Sequence, residues 1–300
     1  MIEVIHTLKK FPQKTCVALG YFDGIHMGHK RIIETMVGMA QKKGLTPIVF
    51  TFSQSPREAL TKRPMKKIIG TDDKKLILSS LGVEKMYMIN FSSIMKLSAN
   101  EFINQILINT LNAADLFCGF NYHFGAGKSG DCNYLKQKLK LAGVNVYINE
   151  AVNYKGEIVS STGIKKLISE GNVEKANFML TRNFSFKSKV IEGKKLGRQL
   201  GFPTINQEFP ETLVLPKFGV YKTAVKVKGA KFSSITNIGV NPTISIRETP
   251  IVETFILDYD DNNLYGEIIE VEFLKFLRVE KKFNSLVDLK NDINSLLCKL

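Results

Sequence analysis

The hydrophobic pattern changes period near the middle of the chain. Over the first half, short unbroken apolar runs at 15–20 (TCVALG), 47–52 (PIVFTF), 85–91 (KMYMINF), 115–120 (DLFCGF) and 144–150 (VNVYINE) read as buried strands. Between them lie segments of helical spacing. Residues 28–43 place Ile32, Ile33, Met36, Val37 and Met39 on one side, and 72–82 ends at Gly82. SANEFINQILINTL opens with Ser98 and Glu101 in capping-box order, and 132–143 adds a further helix. Regular strand–helix alternation predicts a doubly wound parallel sheet, with helices on both faces.

From about residue 183 the apolar positions alternate. NFSFKSKVIEG, GVYKTAVKVKG, KFSSITNIGV, IVETFILDY and GEIIEVEFLKFLR are period-two segments, divided by turn residues such as Lys228-Gly229 and Asp261-Asn262-Asn263. Short strands at this spacing predict a small antiparallel β-barrel. Apolar residues at 286, 289, 293, 296 and 297 add a terminal helix. A helical stretch at 161–182 precedes the change, so the domains are expected at 1–183 and 184–300. The fold class is therefore α/β, with an N-terminal parallel-sheet domain followed by a C-terminal barrel.

Composition narrows this only at a few points. A hydrophobic fraction of 44% in 300 residues supports a core in each domain. The longest apolar runs fall short of a membrane span, and the N-terminus MIEVIHTLKKF lacks a secretory core. A cytoplasmic location is expected. Cys16, Cys118, Cys132 and Cys298 form no CxxC pair, which favours reduced thiols over zinc or a disulfide framework. The formal charge of +14 suits nucleic acid, acidic membranes or small polyanions, yet the lysines are spread along the chain. A lysine-rich solvated surface explains the charge equally well, and a non-catalytic nucleic-acid-binding regulator is the other reading, which predicts salt-sensitive nucleic-acid binding.

Candidate chemistry gathers in two places. In CVALGYFDGIHMGHKRII (16–33), a strand turns into a helix through Gly20, Gly24 and Gly28, with His26 and His29 three residues apart. Ligands of doubly wound sheets bind beyond the carboxyl ends of strands, and glycines with a helix N-terminus suit phosphate. Core hydrogen bonding and a metal pair are the alternatives for the two histidines. GxGxxG is absent here, and GAGKSGD (125–131) misses the P-loop pattern because Tyr122 stands where a glycine is required. In the second half, EGKKLGRQLGFPTIN carries Gly193, Gly197 and Gly201 as an anion-binding loop. Thr204 and Asn206 follow as neutral oxygen donors, and Glu253 lies in a strand, where a solvent-facing role is the alternative.

The GYFDGIHMGH stretch resembles the nucleotide-binding motif of the HIGH-type nucleotidylyltransferases. With VFTFSQSPRE, FCGFNYHFGAGKSGD, VSSTGIK and ISEGNVEKANFMLTRNF in order, the chain is similar to the prokaryotic bifunctional riboflavin kinase/FMN adenylyltransferases. The resemblance runs from about residue 10 to the C-terminus. It implies phosphorylation of riboflavin to FMN and adenylylation of FMN to FAD, with ATP as substrate and Mg2+ at both sites. By this likeness His26 and His29 hold ATP phosphates and Asp23 shapes the turn beside Gly20, Phe22, Gly24 and Gly28. Ser160, Ser161, Thr162 and Lys165 face the nucleotide, and Asn121 lies in the flavin-contacting segment. GFPTIN matches the kinase motif. Thr204 and Asn206 then hold the magnesium nucleotide at the Gly193, Gly197 and Gly201 loop, Glu253 is the general base, and Arg278 and Phe283 line the flavin side. NIGVNPT and LYG also match.

Two departures stand out. Lys165 replaces the usual Arg of SSTxxR, and Phe52-Ser53-Gln54-Ser55-Pro56 replaces F-x-P-H-P. A paralogue keeping one activity is therefore the alternative, with adenylyl transfer the half in question. The partners expected are nucleotides and flavins, with no nucleic acid and no membrane, and homo-oligomer formation is left open.

Overall fold

The computed structural model describes residues 2–193, 201–240, 250–259, 264–281 and 286–297. Two compact units result. One comprises Met1–Met65 with Gly70–Ser160, and the other Lys66–Ile69 with Ser161–Leu300.

The first unit holds a six-stranded sheet in the order β1-β4-β3-β2-β5-β8, every pair parallel. Its strands are β1 (Glu3–Ile5), β2 (Thr15–Leu19), β3 (Thr46–Phe52), β4 (Lys85–Ile89), β5 (Ala113–Gly119) and β8 (Asn145–Asn149). Both faces are covered, which is why these strands read as unbroken apolar runs. Val17, Leu19, Ile48, Phe50, Tyr87, Leu116 and Cys118 join one core cluster with Phe102, Ile106, Leu107, Leu135 and Leu139. The alternate residues Cys16, Ala18, Val49, Met86 and Phe117 are buried too. Helix α1 (Met27–Lys43) packs against β2, β3 and β5 and buries Ile32, Ile33, Met36 and Val37. Gly44, in the left-handed region with φ 63°, ends it.

Several local features depart from the pattern expected. Glu101 and Ser98 form the capping box, but only Ala99–Glu101 (α4) is α-helical, and Phe102–Thr110 winds on as a π-helix. Apolar spacing of three and four residues does not separate the two windings. Helix α2 (Pro56–Thr61) was not expected. Ser55 caps it by accepting from Glu58 N–H at 3.0 Å. The Gly-rich 125–131 segment folds into a hairpin, with β6 (His123–Phe124) antiparallel to β7 (Gly130–Asp131). Helices α3 (Thr71–Ser80) and α5 (Cys132–Lys140) fall where expected, and a small β9 (Asn153–Tyr154)/β10 (Glu157–Ile158) hairpin follows β8.

In the second unit the expected 161–182 helix is two. These are α6 (Ser161–Ser169) and α7 (Val173–Leu180), broken where Gly171 takes φ 85° and Asn172 caps the second. A closed barrel follows, β11-β12-β15-β14-β13-β16, antiparallel throughout. Its strands are β11 (Phe184–Ile191), β12 (Thr204–Glu208), β13 (Gly219–Val227), β14 (Ala230–Val240), β15 (Pro250–Ile256) and β16 (Ile268–Arg278), with the terminal helix α8 at Leu286–Leu297. Phe184, Phe186, Tyr221, Val252, Val271 and Phe273 are buried. Buried hydroxyls pair among themselves, Thr223 with Ser234 at 2.7 Å and with Thr236 at 2.7 Å, and Thr236 with Thr254 at 2.9 Å. This satisfies polar groups that the apolar interior would otherwise penalise.

Cys16, Cys118 and Cys132 are free, buried thiols, as the sequence suggested, with Cys118 and Cys132 sulfurs 3.9 Å apart. Cys298 lies outside the described residues.

Candidate functional site

The first site forms at the carboxyl end of β2. In this sheet β2 is followed outward by β3 on one side and by β5 on the other, so the crevice beyond β2 and β5 is the topological switch point. The turn leaving β2 is tight. Phe22, Gly24 and Ile25 have φ of 53°, 82° and 40°, a conformation L side chains rarely adopt. Gly24 fits that demand at no steric cost. Gly20 and Gly28 serve protein rings. A methyl on Gly20 would meet the Phe22 ring at 2.9 Å, and one on Gly28 would meet His26 at 3.3 Å. These two glycines therefore make room for the rings of the histidine turn itself.

His26 is the N-cap of α1 and is 5% exposed. Its Nδ1 accepts from His29 N–H at 3.4 Å, which leaves Nε2 to carry the proton and donate. The two rings stack, centroids 3.7 Å apart and 18° from parallel, and Phe22 meets His29 edge-on at 5.2 Å. His29 Nδ1 is buried with no hydrogen-bond partner in the protein, a group aimed at a ligand or at water. Burial first, then the nearby His26 and Lys74, hold the His29 imidazole well below its ordinary value. It is therefore neutral at physiological pH.

Across the switch point, Asn121 is exposed just past β5. The hairpin beyond it is anchored by Ala126 N–H donating to Leu97 O at 2.7 Å, with Gly125 at φ 75°. Ser160 is the last residue of the first unit, while Ser161 and Thr162 open α6 in the second. Lys165 lies one turn beyond Ser161 on α6, half-buried like it, on the flank of the stripe that buries Ile164 and Ile168. Ser55, where the family pattern has histidine, is occupied as a helix cap.

The second site lies on the outer face of the barrel. Thr204 and Asn206 belong to a strand. Asn206 stands opposite Glu253 on β15, and Glu253 opposite Asn237 on β14. Directly opposed residues share a face, so Asn206, Glu253 and Asn237 form a row across three strands. Glu253 is exposed. Gly193 is packed so closely on Asn206 that any side chain there would fall inside the amide. Gly201 has φ 85° with open space around it. Arg278 is committed to the terminal helix, its Nε donating to Asp292 at 3.0 Å and its Nη1 to Val279 O at 2.9 Å. Gly197, Phe283 and the Asn241–Thr243 end of NIGVNPT lie outside the described residues.

Three residues in these sites were not singled out from the sequence. Lys74 is buried beneath the histidine turn. Its one signal was helical phase, since 74, 78 and 81 share a side of α3 and only Lys74 is polar there. Asn237 opens the NIGVNPT stretch, and only register sets it beside Glu253. Glu280 accepts from Asn237 Nδ2 at 3.2 Å and lies against Gly239.

Fold and sites together define a two-domain protein with a parallel-sheet unit and a closed-barrel unit, each carrying one polar site. Residues 8–163 match the FAD synthetase family and residues 180–296 the riboflavin kinase family. The Bacillus subtilis bifunctional riboflavin kinase/FMN adenylyltransferase is 34% identical over 294 residues, covering 96% of this chain and 92% of that protein. Its Escherichia coli K12 counterpart is 31% identical over 298 residues, covering 98% and 94%. A Streptococcus pneumoniae crystal structure described as a macrolide-efflux protein is 30% identical, covers 98% of this chain and 97% of its own, and has a TM-score of 0.90. The chain belongs to the bifunctional riboflavin kinase/FMN adenylyltransferase family.

Proposed function

We propose that this transferase phosphorylates riboflavin to FMN with ATP and then adenylylates FMN to FAD, releasing pyrophosphate, with residues 184–300 carrying the first step and 1–183 the second. The supporting observation is that each family match contains one built site: the stacked His26–His29 pair in one, and the Asn206–Glu253 register in the other.

In the kinase step the ribityl 5′-hydroxyl attacks the γ-phosphorus, the bond to the β-phosphate oxygen breaks, and Glu253 accepts the hydroxyl proton. Thr204 and Asn206 present neutral oxygens and Gly193 leaves room for the Asn206 side chain. Such hard donors fit Mg2+ that arrives on nucleotide phosphates and keeps part of its water shell. Bound there, the ion would neutralise charge on the phosphates. Gly197 and Gly201 serve the nucleotide, and Arg278 and Phe283 the flavin.

In the second step an FMN phosphate oxygen attacks the α-phosphorus and pyrophosphate leaves. No covalent help is required, so the protein's work is positioning and stabilisation of negative charge. His26 donates from Nε2, and His29 presents its unpartnered Nδ1 side to the nucleotide. Gly20, Phe22, Asp23, Gly24 and Gly28 shape the turn, Asn121 meets the flavin, and Ser160, Ser161, Thr162 and Lys165 complete the phosphate contacts. A cytoplasmic location accords with the finding that no described helix is long and apolar enough to cross a membrane.

The test is incubation of purified protein with riboflavin, ATP and Mg2+, followed by chromatographic separation of FMN and FAD. Both products are expected in sequence. Accumulation of FMN without FAD would remove the adenylyltransferase assignment.

A further inference from the structure

Below the histidine turn, α3 points a lysine inward. Lys74 is 7% exposed, and its ammonium donates to the Tyr21 carbonyl at 2.8 Å while lying 4.5 Å over the centre of the Tyr21 ring. Lysine is among the residues least often buried, because taking an ammonium out of water costs several kcal/mol even after relaxation. The fold alone does not ask for that cost. Thr51 Oγ1 already donates to the same carbonyl at 3.0 Å.

The carbonyl so held is a sensitive one. Tyr21 is the last residue before the left-handed run at Phe22, Gly24 and Ile25. The orientation of its peptide sets the φ of Phe22, and Phe22 in turn lays its ring edge-on against His29. His29 is stacked on His26. A contiguous set of packed groups thus runs from the α3 ammonium to both imidazoles, with the strained backbone in between.

We propose that Lys74 is a positioning residue for adenylyl transfer: its ammonium fixes the Tyr21 carbonyl and ring, and through Phe22 sets where the His26–His29 pair meets the nucleotide phosphates. The same fixed positive charge stands behind a site that takes a polyphosphate, so it adds to the field in which negative charge develops. The inference rests on the assignment of the histidine pair to adenylyl transfer. It adds a residue from a different element, some 45 positions along the chain, that touches neither substrate.

The experiment uses the full-length protein and three variants, Lys74→Met, Lys74→Arg and His29→Asn. Adenylylation of supplied FMN is measured for kcat and for KM of ATP and FMN, and riboflavin phosphorylation by the barrel serves as the internal control. Lys74→Met is expected to lower adenylyl-transfer kcat more than fivefold, with both KM values within fivefold and the kinase rate unchanged. Lys74→Arg, which keeps a cationic donor, is expected to recover kcat to within fivefold of the parent. If Lys74→Met stays within fivefold of the parent, or Lys74→Arg is no better than Lys74→Met, the positioning role is overturned. If Lys74→Met does not fold, Lys74→Arg decides alone: within fivefold of the parent upholds the role, and below that overturns it. His29→Asn separates the two levels. Full adenylyl transfer in that variant would overturn the histidine assignment itself, whereas its loss beside an unaffected Lys74→Met would overturn only the part played by Lys74.

Discussion

The His26 and His29 rings stack 3.7 Å apart, with the His26 Nδ1 accepting the His29 backbone N–H. One imidazole thereby becomes the N-cap of α1 and the plate against which the other is held. Removing His29 leaves the cap intact and takes away the buried nitrogen that has no protein partner. His29→Asn is expected to slow FMN adenylylation about 100-fold, the size of effect seen when one preorganised donor is lost. Riboflavin phosphorylation should stay within twofold. Parallel assays of the two half-reactions on one preparation check this.

Glu253 invites the reciprocal experiment. Strand register places it between Asn206 and Asn237 on the outer face of the barrel. Glutamine keeps the shape but removes the base. Glu253→Gln is expected to lower the kinase rate by about 100-fold or more and to leave adenylylation of supplied FMN unchanged. A non-catalytic regulator would show no change in either assay.

Much of this was legible from the sequence, and the reasons differ by element. Buried strands such as β2 and β3 announce themselves because both faces are covered, and a helix such as α1 shows its apolar side. The histidine turn was readable because glycine, aspartate and histidine cluster where a strand ends. What stayed hidden depends on pairing or on packing. Thr204 and Asn206 showed as oxygen donors after the glycines, but only strand pairing sets them opposite Phe255 and Glu253 in the barrel. The π-winding of 102–110 leaves no mark in apolar spacing. Lys74 looked like its neighbour Lys75, and only the phase of α3 separates them.

Glycine chemistry on the barrel separates space from strain. A methyl at Gly193 would fall inside the Asn206 amide, while at Gly201 the surroundings are open but φ is 85°. Gly193→Ala is expected to displace Asn206 and reduce kinase activity at least tenfold. Gly201→Ala should cost about 1 kcal/mol of stability from the left-handed backbone. Kinase assays beside urea unfolding of both variants distinguish the two mechanisms.

At the amino end of the parallel sheet, Asp115 is fully buried and accepts from Lys43 Nζ at 2.8 Å to each oxygen and from Asn145 Nδ2 at 2.7 Å. The Cys16 thiol donates to it at 3.6 Å, and burial followed by the Asp115 charge pushes that thiol up to about 12. Lys43→Met strands a carboxylate in the core. It is expected to destabilise the unit by about 3 kcal/mol, toward the low end for a broken buried pair because Lys43 is partly exposed. Asp115→Asn combined with Lys43→Met should recover part of the loss in urea unfolding.

Glu272 is expected to make the barrel acid-sensitive. Burial alone would raise its carboxyl, but Lys231 Nζ at 2.7 Å, Asn183 Nδ2 at 2.8 Å and Lys226 Nζ at 2.9 Å outweigh that and bring it down to about 2 from 4.5. A carboxyl lower in the folded than in the unfolded state stabilises above the unfolded value, and that contribution disappears as pH falls through the folded one. The barrel is therefore expected to lose stability between pH 4.5 and about 2. Glu272→Gln should be less stable at neutral pH and should show a flatter dependence across that interval. The chain has nine tyrosines and no tryptophan, so tyrosine fluorescence during urea unfolding at stepped pH reports the transition. An unchanged slope in Glu272→Gln would place the acid sensitivity elsewhere in the barrel.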